Sequence, residues 1–268
     1  MDSISKAMSL AKSNIKRSPV ALREEEEKNI RYSKTRNYSI REDVLKENRL
    51  LSESSDKRVV DAFRLLRTRV MSRMQQNQWN TLGITSCRPN EGKSLTAINL
   101  AISIAMRHNY TVMMVDTDLR RPSIHSFFGI TPKYGLADYL IRDVPIEEVL
   151  VHPGIERFVM LPSGGSLDAQ YHSSEYLASP KMAQLVDELK TRYPSRLVLF
   201  DLPPILIGDD VVAFSTYLDA IMLVVEDGKT REGELAHALD LVSEVEVIGT
   251  VLNKSDELTQ DNHYQGYY

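Results

Sequence analysis

Short apolar runs alternate with segments of helical periodicity from residue 82 onward. The apolar runs predict strands at residues 82–86, 111–115, 158–161, 197–200, 220–225 and 247–252. Apolar side chains at helical spacing predict helices at residues 94–107, 146–150, 180–193, 209–216 and 232–245. This alternation is typical of an α/β fold with a doubly wound, mainly parallel sheet and helices on both faces. In such sheets, ligands bind at the carboxyl ends of the strands.

The beginning of the chain has a different pattern, because charged and polar residues dominate it up to the first glycine, Gly83. Residues 1–55 have too little apolar content for a core, which predicts an N-terminal extension that is largely disordered or helical. Residues 57–76 carry apolar side chains at helical spacing and predict an amphipathic helix. We therefore expect an extension (1–55), a domain (56–258) that begins with a helix at 56–78, and a flexible C-terminal tail (259–268).

Composition narrows the functional classes. The chain has 33 Lys and Arg against 37 Asp and Glu, a net charge of −4, which argues against nucleic-acid binding. Its apolar runs are far shorter than the roughly 20 residues of a membrane span, and residues 1–10 lack a secretory pattern, so we expect a cytoplasmic protein. Cys87 is the single cysteine and allows no internal disulfide, and the histidines lack zinc-ligand spacing.

Residues 87–94, Cys-Arg-Pro-Asn-Glu-Gly-Lys-Ser, lie between a predicted strand and a predicted helix. A phosphate-binding loop (P-loop) occupies this position, and its backbone N–H groups and helix N-terminus hold phosphates. Lys93 would reach the terminal phosphates and the Ser94 hydroxyl would bind Mg²⁺. The residues that would surround the nucleotide are Arg88, Pro89, Asn90, Glu91, Gly92, Lys93, Ser94 and Leu95. The alternative is a plain strand-turn-helix capped by Asn90 or Ser94, and Cys87 replaces the usual first glycine of the motif.

Two of the predicted strands end in acidic residues. Asp116 and Asp118 follow residues 111–115, and Asp201 follows residues 197–200. In a parallel sheet these strand ends lie at the same edge as the P-loop. Asp118 and Asp201 then suit Mg²⁺ binding, and Asp116 suits the base that orients or deprotonates the attacking oxygen. Each of these acids alone could equally be a turn or helix-cap residue.

Asn253 ends the last predicted strand. An Asn at this position either reads the edge of the adenine base or serves as a strand-end turn residue. The sequence leaves both roles open.

With these motifs the chain resembles the bacterial tyrosine kinases of capsule and exopolysaccharide synthesis, a branch of the P-loop ATPases that includes chromosome-partitioning and septum-positioning proteins. The resemblance covers residue 56 to the C-terminus. Its most specific parts are the P-loop end at 91–94, the run Val-Asp-Thr-Asp-Leu-Arg-Arg-Pro at 115–122, and Phe-Asp-Leu-Pro-Pro-Ile-Leu at 200–206, followed by Asp210.

The resemblance implies autophosphorylation with ATP and Mg²⁺ on a C-terminal tyrosine tail, with Lys93, Asp116, Asp118 and Asp201 as the catalytic residues. The phosphate acceptors would be Tyr264, Tyr267 and Tyr268, modified by a neighbouring subunit in a ring. This tyrosine cluster is short for the family.

The resemblance also implies partners. Residues 61–68 resemble the family's oligomerisation helix, in which Asp61, Arg64 and Arg67 would form a polar stripe that contacts the next subunit of a homo-oligomeric ring. A solvated helix face is the alternative, and the family usually has Glu at position 61. Further implied partners are a membrane-embedded polysaccharide co-polymerase, which would activate the kinase and recruit it to the inner face of the membrane, and a cognate phosphotyrosine phosphatase.

Two other functions remain open. ATPases that dimerise around nucleotide carry a second lysine early in the P-loop, where this chain has Arg88. Arginine can also bind a phosphate, so a partitioning-type ATPase switch is an alternative to the kinase. A scaffold that binds nucleotide without turnover is another. The run at residues 118–122 and the tyrosine tail favour the kinase.

Overall fold

The computed structural model describes residues 36–107, 110–165, 172–192 and 195–255. Within these ranges the strands form one sheet. The strands are β1 (Arg36–Asn37), β2 (Thr81–Ser86), β3 (Thr111–Asp116), β4 (Val151–His152), β5 (Phe158–Leu161), β6 (Arg196–Asp201), β7 (Ala220–Glu226) and β8 (Glu246–Asn253).

The strand order across the sheet is β1-β4-β5-β3-β6-β2-β7-β8, and every neighbouring pair is parallel except β4 with β5. All residues of β2, β3, β6 and β7 are buried. Strands buried on both faces need helices above and below them, which explains their nearly continuous apolar sequences. The predicted α/β fold with a mainly parallel sheet is confirmed.

The helices surround this sheet. They are α1 (Glu42–Glu47), α2 (Lys57–Gln76), α3 (Lys93–Ala105), α4 (Ile124–Phe127), α5 (Leu136–Arg142), α6 (Ile146–Val149), α7 (Ser173–Leu177), α8 (Pro180–Thr191), α9 (Asp210–Ser215) and α10 (Glu232–Leu241), with a short 3₁₀ helix at Ile205–Ile207. Helix α3 is the most deeply buried, with 12 of its 13 residues in the interior. Among the described residues, no helix is both long and apolar enough to cross a bilayer.

Helix α2 spans the residues that the apolar spacing predicts. The Asp56 carboxylate caps it by accepting a hydrogen bond from the Arg58 N–H at 2.8 Å, and Val70 and Met74 are buried in its last turns. The three residues of the predicted polar stripe, Asp61, Arg64 and Arg67, do not all lie on the same exposed face. Arg64 pairs with Asp61 at 3.2 Å on the exposed face, whereas Arg67 donates to the Ser103 carbonyl of α3 at 2.7 Å.

Ordered structure begins before residue 56, so the predicted extension (1–55) ends too late. Strand β1 pairs with β4, and Leu50 and Leu51 are buried. The Leu51 N–H donates to Asn99 Oδ1 at 2.8 Å, and Asn99 Nδ2 donates to the Arg49 carbonyl at 3.0 Å. The buried side-chain amide of Asn99 thus satisfies backbone groups next to these two leucines, which allows them to be buried although the segment around them is polar. Residues 1–35 and the tail (259–268) lie outside the described residues.

Candidate nucleotide site

The P-loop joins β2 to α3 in a conformation that leaves room for an anion. Asn90 and Gly92 both have left-handed backbones, with φ of 66° and 93°. Gly92 is the N-cap of α3 and no side chain caps this helix, so the alternative of an Asn90 or Ser94 cap is wrong. The first N–H groups of α3 are therefore available to a phosphate.

Lys93, the first residue of α3, lies between two of the predicted carboxylates. Its Nζ atom is 3.5 Å from Asp118 Oδ2 and 3.5 Å from Asp201 Oδ1. Ser94 Oγ is 3.2 Å from the same Nζ. All four residues are buried. The structure thus brings together the residues that the sequence placed around a terminal phosphate and its metal.

Strand pairing explains this convergence. Strands β3 and β6 are neighbours, and Asp116 lies directly opposite Asp201 in their register. Asp118 follows two residues later and accepts a hydrogen bond on Oδ1 from the Arg121 N–H at 2.9 Å. Two strands that are 80 residues apart in sequence therefore end at one point next to the P-loop.

Asp116 has the most unusual electrostatics in the site. It is fully buried, and burial together with the charge of Asp201 raises its pKa to about 7. The Ser123 and Ile124 N–H groups donate to its Oδ2 at 3.0 and 3.1 Å, which oppose that rise and fix its orientation. A carboxyl group with a pKa near 7 can exchange a proton at physiological pH.

Burial and neighbouring charges have opposing effects on the pKa values of Asp201 and Lys93. Burial raises the pKa of Asp201 despite the nearby ammonium of Lys93. Burial opposes the charged form of Lys93, but the charges of Asp201, Asp118 and Asp116 outweigh it and raise the lysine pKa. One ammonium thus faces three carboxyl groups, and this excess of negative charge favours the binding of a cation.

The oxygen donors in the site fit Mg²⁺. Ser94, Asp118 and Asp201 supply a hydroxyl and carboxylates, the ligand class that Mg²⁺ prefers. Asp201 Oδ2 is buried and has no hydrogen-bond partner in the described part of the chain. The described residues contain no cluster of three His, Cys, Asp or Glu side chains shaped to hold a metal alone. Mg²⁺ commonly completes its coordination with water and nucleotide phosphates.

The remaining predicted loop residues differ in position. Pro89 and Leu95 are half-buried, and Arg88 is exposed and forms an ion pair with Glu234 of α10. The buried Glu91 carboxylate accepts from the Arg88 N–H at 2.8 Å, within the loop. Arg88 therefore points toward α10 of its own chain.

Asn253, at the end of β8, contacts the loop directly. Its Nδ2 donates to the Glu91 carbonyl at 2.8 Å. A Cβ atom added to Gly92 would collide with that Nδ2, and the left-handed φ of 93° also favours glycine there. The amide is thus at the candidate site and is engaged with the loop backbone.

The structure adds residues that sequence patterns did not identify. Lys254 Nζ donates to the Asn90 carbonyl at 2.6 Å, and Thr230 donates to Glu91 Oε1. Ser123 Oγ lies 3.2 Å from Ser94 Oγ. Only Ser123 carries a sequence signal, because it immediately follows the run at 115–122.

Arg120, which follows the carboxylates of β3, forms an ion pair with the buried Asp210 at 3.4 Å. Its Nε also donates to Ser173 Oγ at 2.7 Å. These contacts connect the loop after β3 to α7 and α9, and they explain why Asp210 accompanies the aspartate motifs in the sequence.

Cys87 is buried and unreactive. Burial, with smaller contributions from Glu91 and Glu234, raises the pKa of its thiol to about 11. The thiolate is the reactive form of cysteine, so this side chain serves packing at neutral pH.

No protein-family model matches the chain. The tyrosine-protein kinase YwqD of Bacillus subtilis is 30% identical to it over 210 residues, which are 78% of this chain and 85% of YwqD. The succinoglycan biosynthesis transport protein ExoP of Rhizobium meliloti is 28% identical over 224 residues, which are 82% of this chain and 28% of ExoP.

Solved structures give a consistent result. The kinase domain of the Escherichia coli tyrosine kinase ETK superimposes with a TM-score of 0.68 and 27% identity, covering 81% of this chain and 88% of that domain. The septum site-determining protein MinD of Pyrococcus horikoshii, complexed with Mg-ADP, has a TM-score of 0.55 and 19% identity over 66% of this chain and 71% of MinD. The MinD likeness concerns the fold alone.

Proposed function

The chain belongs to the family of bacterial tyrosine-protein kinases, and on this premise we propose that it is an ATP-dependent protein-tyrosine autokinase. The observation that carries the proposal is the position of Lys93 at the end of the P-loop, 3.5 Å from both Asp118 and Asp201. This arrangement combines phosphate-binding amides, a positive charge and carboxylates for a metal, which are the parts that phosphoryl transfer requires.

Each side chain then has a defined task. Lys93 exchanges its carboxylate partners for oxygens of the terminal phosphates, and Asp118, Asp201 and Ser94 would hold Mg²⁺. Mg²⁺, when bound, would supply positive charge that neutralises the phosphates. Asp116 accepts the proton of the tyrosine hydroxyl while that oxygen bonds to the γ-phosphorus, and the bond from this phosphorus to the β–γ bridging oxygen breaks to release ADP. A pKa near 7 allows Asp116 to take and later return this proton.

The proposed acceptors are Tyr264, Tyr267 and Tyr268, which lie outside the described residues. Three tyrosines within five residues offer closely spaced acceptors in one segment. We place the transfer in trans, with the tail of one subunit entering the site of its neighbour in a ring. Asp61 and Arg64 lie on the exposed face of α2 and would contact that neighbour, whereas Arg67 contacts α3 and would support the helix from behind.

The proposed cellular role is control of polysaccharide polymerisation or export. The known relatives support it, since ExoP is a succinoglycan biosynthesis transport protein. We propose that the chain acts in the cytoplasm, that a membrane-embedded polysaccharide co-polymerase recruits and activates it, and that a phosphotyrosine phosphatase reverses the modification. Phosphates on the tail would place like charges at subunit contacts and favour dissociation of the ring.

A labelling experiment tests the reaction. The full chain is incubated with γ-labelled ATP and Mg²⁺, with and without a peptide from the cytoplasmic segment of the co-polymerase, and stable label is mapped. Phosphotyrosine at 264, 267 or 268 is the expected result, and Lys93→Met should abolish it. Lys190→Met is a matched control, because Lys190 pairs with an aspartate at the opposite edge of the sheet. Release of free phosphate alone would indicate the ATPase switch, and absence of both signals would indicate a scaffold.

A mixing experiment tests transfer between subunits. The Lys93→Met chain, with its tail intact, is mixed with an active chain whose tail tyrosines are all replaced by Phe. Label on the Lys93→Met chain is expected if transfer occurs in trans. Transfer in cis predicts no label in the mixture and a wild-type rate that is independent of protein concentration.

Ring formation has its own test. Arg64→Glu reverses a charge on the exposed face of α2 and should reduce the oligomer mass measured by light scattering. Lys57→Glu, on an exposed position at the start of the same helix, is the control. An unchanged mass for Arg64→Glu would exclude this face as the ring contact.

A further inference from the structure

The P-loop is held in place by residues from one remote part of the chain. Asn253 Nδ2 donates to the Glu91 carbonyl at 2.8 Å, and Lys254 Nζ donates to the Asn90 carbonyl at 2.6 Å. These two carbonyls belong to consecutive loop residues, the left-handed Asn90 and Glu91, which lies between Asn90 and the left-handed Gly92. The end of β8 therefore binds the loop backbone at consecutive positions.

A second set of contacts supports the same turn. The buried Glu91 carboxylate accepts from the Arg88 N–H at 2.8 Å and from the Thr230 hydroxyl. Thr230 Oγ1 also accepts from the Glu226 N–H at 2.9 Å, and Lys254 Nζ lies 2.9 Å from Glu226 Oε2. The end of β7, the end of β8 and the P-loop thus form one closed hydrogen-bonded network.

The strained turn needs this support. Asn90 has a φ of 66°, a left-handed conformation that asparagine adopts more readily than most residues but that still costs energy and is maintained by surrounding contacts. The carbonyl groups of Glu91 and Asn90 have side-chain donors within the protein, so neither has to turn toward the anion site to find a partner. A loop that relaxes would place carbonyl dipoles near the phosphates.

We infer that Asn253 and Lys254 are positioning residues that preorganise the P-loop for the phosphates, and that Asn253 does not select the base. The inference rests on the proposed nucleotide site and assigns Asn253 a role different from reading adenine. A residue that acts through the loop backbone should affect every nucleoside triphosphate equally. A residue that reads the 6-amino group should affect ATP and spare ITP, which carries an oxygen at that position.

Calorimetric titration of the full chain with ATP and with ITP, in Mg²⁺, separates these roles. Asn253→Ala should weaken both nucleotides by the same factor, about fivefold to tenfold for the loss of one backbone hydrogen bond. Lys254→Met removes the neighbouring bond and should give the same pattern. Lys254→Arg, which keeps a cationic donor, should restore part of the affinity for both nucleotides.

Asn80→Ala is the matched control. Asn80 Nδ2 donates to the Lys190 carbonyl at 2.8 Å, which is the same type of bond at the opposite edge of the sheet. This variant should lower the free energy of unfolding and leave both affinities unchanged. For Asn253→Ala, loss of ATP affinity with ITP affinity intact would assign Asn253 to base reading and overturn the inference, as would unchanged affinity for both nucleotides. Failure of the wild-type chain to bind ATP would instead contradict the proposed function.

Discussion

The two edges of the central sheet use aspartate in opposite ways. At the amino edge, Asp219 precedes β7 and accepts hydrogen bonds from the Asn80 N–H and the Thr81 N–H, both at 2.9 Å, and from Lys190 Nζ at 3.0 Å. Burial alone would raise the pKa of Asp219, but these donors outweigh it and hold the pKa below its usual value. This carboxylate is satisfied within the protein and ties three elements together.

At the carboxyl edge, Asp116 and Asp201 have pKa values above the ordinary range, and Asp201 Oδ2 has no partner among the described residues. Their neighbour Lys93 is 3.5 Å from Asp201, longer than a good charge-assisted hydrogen bond. Asp219 at the amino edge therefore stabilises the fold, whereas Asp116 and Asp201 at the carboxyl edge keep charge that the protein does not satisfy and that a ligand can use. Such a division is expected where function and stability make opposing demands.

The largest effect is expected at Asp201. Asp201→Asn removes a proposed metal ligand, so the initial rate of tyrosine phosphorylation should fall by about 100-fold or more. The same change removes one of the three buried carboxyl groups that face the single ammonium of Lys93, so the free energy of unfolding should rise by about 1 kcal/mol. Labelled-ATP assays and urea denaturation measure the two quantities. A variant that is active, or one that is much less stable, would contradict the division between the edges.

Asp219→Ala should have the reverse signature. It leaves two backbone N–H groups and Lys190 without their acceptor, and we expect a loss of about 2–3 kcal/mol in the free energy of unfolding. Affinity for ATP should not change. Because the pKa of Asp219 is lowered in the folded state, its contribution is present above the ordinary value of 3.8 and is lost as the pH falls through the folded value. Asp219→Asn, which keeps one acceptor oxygen, is the milder control.

The third prediction concerns pH. If Asp116 is the base, kcat/KM should rise up to about tenfold per pH unit below pH 7 and level off above it, because the unprotonated carboxylate is the active form. Rates measured from pH 5.5 to 8.5 give this profile. Asp219→Asn should keep the profile, and Asp116→Asn should lower and flatten it. A wild-type profile that is flat between pH 5.5 and 7 would assign the base to another group.

The smallest effect is expected at Cys87, which lies at the carboxyl edge but is a buried thiol with a raised pKa. A pKa of about 11 leaves a thiolate fraction on the order of one in a thousand at pH 8. Iodoacetamide should therefore leave the folded chain unmodified at pH 8 and alkylate Cys87 only in urea. Rapid labelling of the folded protein, followed by mass spectrometry, would show that the P-loop opens.

Regular patterns predicted the main elements closely. The strand prediction at 158–161 coincides with β5, and the five other predicted strands lie within one residue of β2, β3, β6, β7 and β8 at each end. Helix α2 occupies the predicted residues 57–76. Strands buried on both faces have continuous apolar runs, and amphipathic helices have apolar residues at helical spacing. Both patterns can be recognised in the sequence alone, which explains the agreement.

The two shortest strands escaped prediction. Strands β1 and β4 have two residues each, too few for any periodicity. The absence of a periodic signal also explains why the sequence places residues 36–55 in the extension. Their order depends on contacts with Asn99 and β4 and has no periodic signal of its own.

Local sequence patterns are sufficient to predict the P-loop, the acids that end β3 and β6, and the alternation of strands and helices, because these patterns are tied to fixed residue types. The tertiary structure is needed to show that Asp116 lies opposite Asp201. It also shows that Arg67 contacts α3, that Arg88 contacts α10, and that Asn253 and Lys254 bind the P-loop backbone. Those relations join residues more than 30 positions apart along the chain. Strand order and packing set such distances, and no local spacing records them.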